Sequence, residues 1–442
     1  MPKILLIIAI LANAALAQTP RAGGPLPDMS TNDLEFFNAG LQRFTEIDSV
    51  QGTEPGAPGV GLGPRFNMNS CASCHAYPAA GGSSPAINPA IEMATRYGAL
   101  NKVPYFIKIN GPVREARFKY KSDGTRDGGV HNTFVITGRS DAASCNIQQP
   151  DFEREVVRGN ISYRIPTPLF GTGLIQEISD STILANKNSQ LREKRALGIY
   201  GHENRNGNDG TITRFGWKAQ NKSLELFAAE AYNVEQGVSN QIFPNKRDET
   251  SGCVLNSLPE DHENTGANTP TAAMSDVTGF TKFMQFLAPP EPAPANDSTK
   301  HGAAVFAKVG CALCHTPSLM TANTTIAALS GKPVNLYSDL LVHHMGRGLA
   351  DDIVQGLAGP DEFRTAPLWG LGQRLDYLHD GRTAHLLAAI QEHASNGKHC
   401  RRGDMYDLNG SACHSEANAV IHKFNALSAA EKIDVLNFLK SL

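Results

Sequence analysis

Leu34, Phe37, Leu41 and Phe44 recur at helical spacing, and Thr31 or Asn32 can cap a helix that runs to about Phe44. Farther along the pattern weakens. Residues 224–232 read as a helix, and Ser275 or Asp276 can cap another that ends near Leu287. Residues 105–110, after Pro104, and residues 133–137 read as short strands. Residues 56–64 and 201–210 are punctuated by Gly, Pro or Asn and read as loops. A clear break follows at Pro289, Pro290, Pro292 and Pro294, a stiff extended linker over residues 288–295. Beyond it, Ser298 or Thr299 can cap a helix carrying Val305 and Phe306. Near the end, Ser428 and Glu431 stand at capping-box spacing ahead of an apolar face of Ile433, Leu436 and Leu439.

These elements predict a mainly α chain of two helical units. Residues 18–290 form a larger first unit with long loops and a few short strands, and residues 296–442 a smaller second one. At the other end, Lys3 precedes an apolar run over residues 4–10, and Ala15, Leu16 and Ala17 form an A-x-A cleavage pattern. A signal peptide over residues 1–17 is expected, with the mature chain starting at Gln18. The run is too short to span a membrane comfortably, so a periplasmic or secreted product without stable membrane insertion is expected. The formal charge of −3 argues against nucleic acid as a partner.

Chemistry enters with a doubled motif. Cys71, Cys74 and His75 form one Cys-x-x-Cys-His, and Cys311, Cys314 and His315 form another. In this pattern both thiols bond to a porphyrin and the adjacent His reaches the iron as proximal ligand. Two covalently bound haem c groups are therefore expected, in two cytochrome c-like domains, the first enlarged over residues 18–290 and the second over residues 296–442. The same residue types could instead hold zinc, the less favoured reading. Cys145, Cys253, Cys400 and Cys413 remain, an even number that allows three pairings. Cys400 with Cys413 is the simplest local bridge, which leaves Cys145 with Cys253 across a long loop.

The residue opposite each proximal His decides between electron transfer and chemistry. For the second haem the candidates are His393, on a helix after a turn, and Met345, with His343 and His344 as weaker rivals. For the first, residues 76–99 contain no His, and Tyr77 is too close to His75 to reach across the ring. That side is expected to be open. His131 is a candidate distal catalytic residue there, and Met68 a packing residue.

Residues 365–370 (Thr-Ala-Pro-Leu-Trp-Gly) followed by His379-Asp380-Gly381-Arg382 resemble the C-terminal domain of bacterial di-haem cytochrome c peroxidases. There, a residue on the helix after His-Asp-Gly binds the second iron: Met in the peroxidases, Tyr in the related methylamine-dehydrogenase maturation enzyme. The matching position is His393, which implies bis-His ligation by His315 and His393. The segment Gly216-Trp217-Lys218-Ala219, then Leu224 and Glu235-Gln236-Gly237, resembles a peroxidase segment ending in Glu-Met-Gly. This resemblance places the distal acid/base role on Glu235 and puts Trp217 near the inter-haem tryptophan. It also brings a bridging Ca2+, for which the sequence shows no convincing loop.

A narrower resemblance is to the di-haem oxidoreductases described as peroxidases or thiol oxidoreductases. It is carried by residues 61–74, 168–174, 214–219, 338–341, 348–351 and 364–370, and spans about residues 56–442. One departure is His344, where family members usually carry Asp between a His and a Met. Together these readings predict an oxidoreductase with peroxidase-like chemistry at the first haem and electron relay through the second. The expected partners are a small electron-donor cytochrome or cupredoxin, and peroxide or another small oxidant. The alternative is a non-enzymatic electron carrier.

Overall fold

A computed structural model describes residues 22–96, 100–395, 400 and 405–442. The expected signal peptide lies outside the described residues. The chain is mainly helical, with one three-stranded sheet and three two-stranded ones.

Two helix pairs organise the molecule. The first joins Thr31–Thr45 to Asp276–Phe286. Phe37 and Phe44 of the first helix pack on Phe283 of the second, with ring centroids 5.5 and 4.6 Å apart. Such aromatic pairs add about 0.5–1.5 kcal/mol each beyond their buried area. The helices touch at Gly40, where a Cβ would lie 2.3 Å from the Gly279 carbonyl oxygen. The cap is Ser30, whose hydroxyl accepts from the Asp33 N–H at 3.1 Å, rather than Thr31 or Asn32. Leu34 belongs to the expected apolar stripe but is 40% exposed.

The second pair repeats the plan. Asp297–Val309 packs on Ala429–Ser441, and a Cβ on Gly302 would meet the Asp434 carbonyl oxygen at 2.0 Å. Asn296 caps the first helix in a capping box with Thr299, so the start lies two residues earlier than Ser298. The Ser428–Glu431 capping box is present. The buried face of the last helix is Val435, Phe438 and Leu439, while Ile433 is 56% exposed. Between the pairs, residues 288–295 form neither helix nor strand. The linker is tied back at both ends, by Ala288 N–H to the Gly24 carbonyl and Ala293 N–H to that of Ser441.

The three-stranded antiparallel sheet has Glu115–Phe118 at its centre, flanked by Val130–His131 and Ile161–Arg164. Alternation sends Ala116 and Phe118 into the apolar core and Glu115 and Arg117 to the opposite face. Within residues 133–137, Phe134–Val135 is a strand paired with Arg65–Phe66. Residues 105–110 are not a strand. The Ile107 N–H turns back to the Pro104 carbonyl, and only an isolated bridge joins Asn110 to Ile87. The disulfides are Cys145–Cys253 and Cys400–Cys413, separated by 108 and 13 residues. In the chain-entropy picture such loops are worth about 5 and about 3 kcal/mol. No described helix is long and apolar enough to cross a membrane.

Candidate functional site

Each Cys-x-x-Cys-His folds into one tight turn. Residues Cys71–Cys74 form a helical turn closed by the His75 N–H on the Cys71 carbonyl at 3.0 Å. In the second copy, Gly310 ends the preceding helix at φ 105°, and the His315 N–H closes on the Cys311 carbonyl at 2.9 Å. Both sulfurs and the imidazole of each motif therefore face one side. They open onto separate cavities of about 130 Å³ around His75 and about 210 Å³ around His315. The four motif cysteines are free, whereas the other four are paired.

The two histidines are oriented alike. His75 Nδ1 lies 3.1 Å from the Gly82 carbonyl oxygen, and His315 Nδ1 lies 3.0 Å from that of Tyr337. A carbonyl only accepts, so each Nδ1 carries the proton and each Nε2 keeps its lone pair for a metal. Burial holds both imidazoles neutral, at a pKa of about 4.

These residues fit haem and not zinc. Burial pushes the Cys71 and Cys74 thiols up and Cys311 to about 12, as suits neutral sulfur. Among the described residues the only group of three metal-capable donors is Cys314, Asp339 and His343, which takes one sulfur from one motif. The second cavity also holds Arg364 and Arg374, both partly buried, both lowered to about 10 first by desolvation, and neither paired with a described carboxylate. Arg374 Nε has no hydrogen-bond partner among the described residues. Guanidinium groups without a carboxylate partner suit an anionic ligand, and haem propionates would supply that charge.

The second cavity also holds a candidate second ligand. His393 lines it, and its Nδ1 donates to the Ala389 carbonyl at 2.8 Å. The same tautomer as in the proximal histidines follows. His393 stands two residues beyond the helix Leu386–Gln391 rather than on it. Its ring satisfies a carbonyl that the helix end leaves open. Burial lowers the pKa of His393 as it does that of His315, and both rings line the same cavity. Met345 also lines the cavity. His343 and His344 are spoken for. His343 is held between Asp339 (3.0 Å) and Glu416 (2.8 Å), and His344 between Asp361 (3.0 Å) and Glu362 (3.2 Å).

The cavity around His75 is walled differently. Among the described residues no other histidine lines it. Glu115 and Arg117 enter from the sheet, and Glu230 and Glu235 from the helix Leu224–Glu235. Glu115 and Arg117 form an ion pair. Glu235 stands at the helix end, which is tied to the first motif by the Asn67 N–H on the Glu235 carbonyl at 2.6 Å. Its carboxyl has no hydrogen-bond partner among the described residues. Its pKa is raised to about 8, first by burial and then by the Glu115 charge, against the pull of Arg117.

Residues 129–442 match the family model described as "Di-haem oxidoreductase, putative peroxidase". The chain belongs to this family. Hydrazine synthase from Kuenenia stuttgartiensis aligns over 100% of both chains, at 14% identity and a TM-score of 0.36. A MauG-like protein associated with microbial copper homeostasis covers 97% of this chain and 94% of its own, at 16% and 0.34. The diheme peroxidase BthA from Burkholderia thailandensis covers 52% and 65%, at 16% and 0.31. All three are distant similarities. No curated protein matches the chain.

In this di-haem oxidoreductase, Trp217 is the one described residue that lines both cavities. Its indole N–H donates to the Ile165 carbonyl at 2.9 Å, and its ring stands edge-on to His379 at 6.4 Å. Buried charges brace it. Asp351 accepts from Arg164 at 2.6 Å and pairs with Lys218 at 3.1 Å, and Lys218 also donates to the Gly359 and Glu362 carbonyls, both at 2.8 Å. Removing one partner of such a buried set costs about 3–5 kcal/mol.

His131 is a correction. It does not line the cavity. Its ring stacks on Phe118 at 3.7 Å, and Nε2 bonds Asp127 at 2.9 Å. Sequence reasoning also missed Glu115, Arg117 and Glu230. The alternation of charged and apolar residues over 115–118 was the available signal.

Proposed function

We propose that this di-haem oxidoreductase reduces a peroxide, or another small oxidant of that kind, in the cavity behind His75. Electrons enter at the cavity behind His315 and pass by Trp217. The observation that carries this reading is the inequality of the two cavities: His393 lines the cavity of His315, and among the described residues no second histidine lines that of His75. Cys71 and Cys74 would hold one haem as thioethers, and Cys311 and Cys314 the other. Iron held by His75 would supply oxidant binding and redox change there, and iron held by His315 and His393 would supply electron transfer.

The chain's own residues do the rest. Glu235 is a neutral acid near neutral pH and donates a proton to the leaving oxygen. Glu115 keeps that proton in place by its charge, while Arg117, paired with Glu115, limits the effect. In the other cavity the Nδ1 bonds of His315 and His393 fix both rings for a low-reorganisation relay. Two disulfides support a location outside the cytoplasm, periplasmic or secreted. A small cytochrome or cupredoxin suits the role of donor there. Calcium is left out of the proposal, because the single metal-capable group among the described residues includes a sulfur, a poor calcium ligand.

The test is turnover of hydrogen peroxide by the haem-loaded protein with a reduced small donor. Sustained consumption that Glu235→Gln slows, with both haems retained, supports the proposal. A protein that exchanges electrons with the donor but never consumes peroxide is a carrier.

A further inference from the structure

Tyr232 is the one tyrosine among the described residues that lines the cavity behind His75. It is 2% exposed and packs edge-on against Phe280 at 5.0 Å. Its hydroxyl donates to Asp276 Oδ2 at 3.0 Å, and Asp48 Oδ2 lies on its other side at 3.5 Å. Asp276 opens the helix Asp276–Phe286, and its other oxygen pairs with Arg43 at 3.0 Å. Those two side chains are 22% and 34% exposed, so this carboxylate reaches from the buried phenol to solvent. Asp48 is buried, and Gln236 joins it to the first motif: its amide nitrogen donates to Asp48 Oδ2 at 3.2 Å and its oxygen accepts from the Ser70 N–H at 2.8 Å.

We infer that Tyr232 is a proton-coupled redox residue, giving one electron to the cavity behind His75 and its phenolic proton to Asp276. Oxidising a buried phenol without moving its proton would leave an unpaired positive charge in the core, which is strongly unfavourable. The hydrogen bond to an anionic carboxylate removes that cost, because the proton crosses a single bond and the tyrosyl radical stays neutral. Ordinary ionisation is not available to this phenol. Burial and the charges of Asp48 and Asp276 raise its pKa well above the usual tyrosine value. Asp48 is itself raised, first by burial and then by the charge of Asp276. Asp276, paired with Arg43, is the acceptor.

The step balances within the peroxide reading of this cavity, on which it rests. Hydrogen peroxide takes up two electrons and two protons and becomes two waters. One electron comes past Trp217 and the other from Tyr232. Glu235 gives one proton and solvent the other. Tyr232 then regains an electron from an external one-electron donor and its own proton from Asp276. Tyr232 thus holds one oxidising equivalent until that donor arrives.

The test uses the chain with both haems in place, mixed with hydrogen peroxide, frozen within milliseconds and read by electron paramagnetic resonance. A radical is expected whose hyperfine pattern collapses when the unaltered chain carries ring-deuterated tyrosine. The radical is lost in Tyr232→Phe. In Asp276→Asn, which keeps the phenol but removes the acceptor charge, its yield falls at least about tenfold. Tyr163→Phe and Tyr105→Phe, which break a separate hydroxyl–hydroxyl pair, leave it unchanged. Peroxide consumption without a tyrosyl signal, or a signal that survives Tyr232→Phe, overturns the inference and leaves the peroxide reading standing. No consumption at all overturns both.

Discussion

The cavity around His315 is also lined by His393, an imidazole with its Nδ1 tied to a backbone carbonyl and no partner for Nε2 among the described residues. The cavity around His75 is lined instead by Glu115, Arg117, Glu230 and Glu235, and by no second imidazole among the described residues. On the near side the cavities match: a turn of Cys-x-x-Cys-His, an Nδ1 bond to a backbone carbonyl, and a Phe ring 6.2 Å from each proximal imidazole. Each also lies beside a helix pair joined at a glycine. A repeated plan builds the attachment side, and in the proposed reading the other residues lining each cavity set the role. That is why the motif alone cannot assign function.

Four changes break or sharpen this comparison. The largest effect is expected from Glu235→Gln, which removes the acid from one cavity and touches nothing in the other. Peroxide cleavage should slow by about 10²–10⁴-fold, with both haems still bound; stopped-flow kinetics reads this directly, and unchanged turnover rejects the role. His393→Met acts on the other cavity. Exchanging imidazole for thioether should raise the potential of one haem, by on the order of 0.1 V, and leave the second alone. A redox titration that shows no shift would move the ligand to Met345.

Gly40→Ala and Gly302→Ala probe the shared plan. Each places a Cβ on a facing carbonyl oxygen, at 2.3 and 2.0 Å, and should destabilise its helix pair by about 1–3 kcal/mol in denaturant titrations. Comparable losses at both sites are expected. The smallest effect is in pH dependence. With its pKa raised to about 8, Glu235 is protonated below that value, so the acid form and the rate decline as pH rises through about 8. The same sign holds for stability. The proton's contribution is full below the ordinary carboxylate value of 4.5 and is lost as pH rises through about 8. Glu235→Gln should abolish that alkaline limb of the pH–rate profile.

Much of this was legible from the sequence, for physical reasons. Short-range patterns survived: the motifs, the proline linker, the capping box at Ser428 and both disulfides. Helix starts shifted by one to three residues, to Ser30 and Asn296, because neighbouring Ser, Thr and Asn compete for one cap and only backbone geometry selects the winner. The strand expected at 105–110 failed because β-propensity needs a partner, and only an isolated bridge is there. Long-range placement was the larger gap. His131 could not be separated from a distal residue without knowing that Asp127 and Phe118 hold its ring. Glu115 and Arg117 reach the cavity only because Ile161–Arg164 and Val130–His131 pair with their strand. Nor could sequence exclude His343 and His344, whose ring nitrogens are taken by carboxylates 4 to 73 residues away in the chain.

The central claim is that the two haem sites are unequal, and the most direct measurement is the electron paramagnetic resonance spectrum of the haem-loaded protein, oxidised and half-reduced. The account predicts one low-spin bis-histidine haem that His393→Met alters, together with one high-spin haem that binds added small ligands. Two low-spin haems in both states, neither binding a ligand, would contradict it.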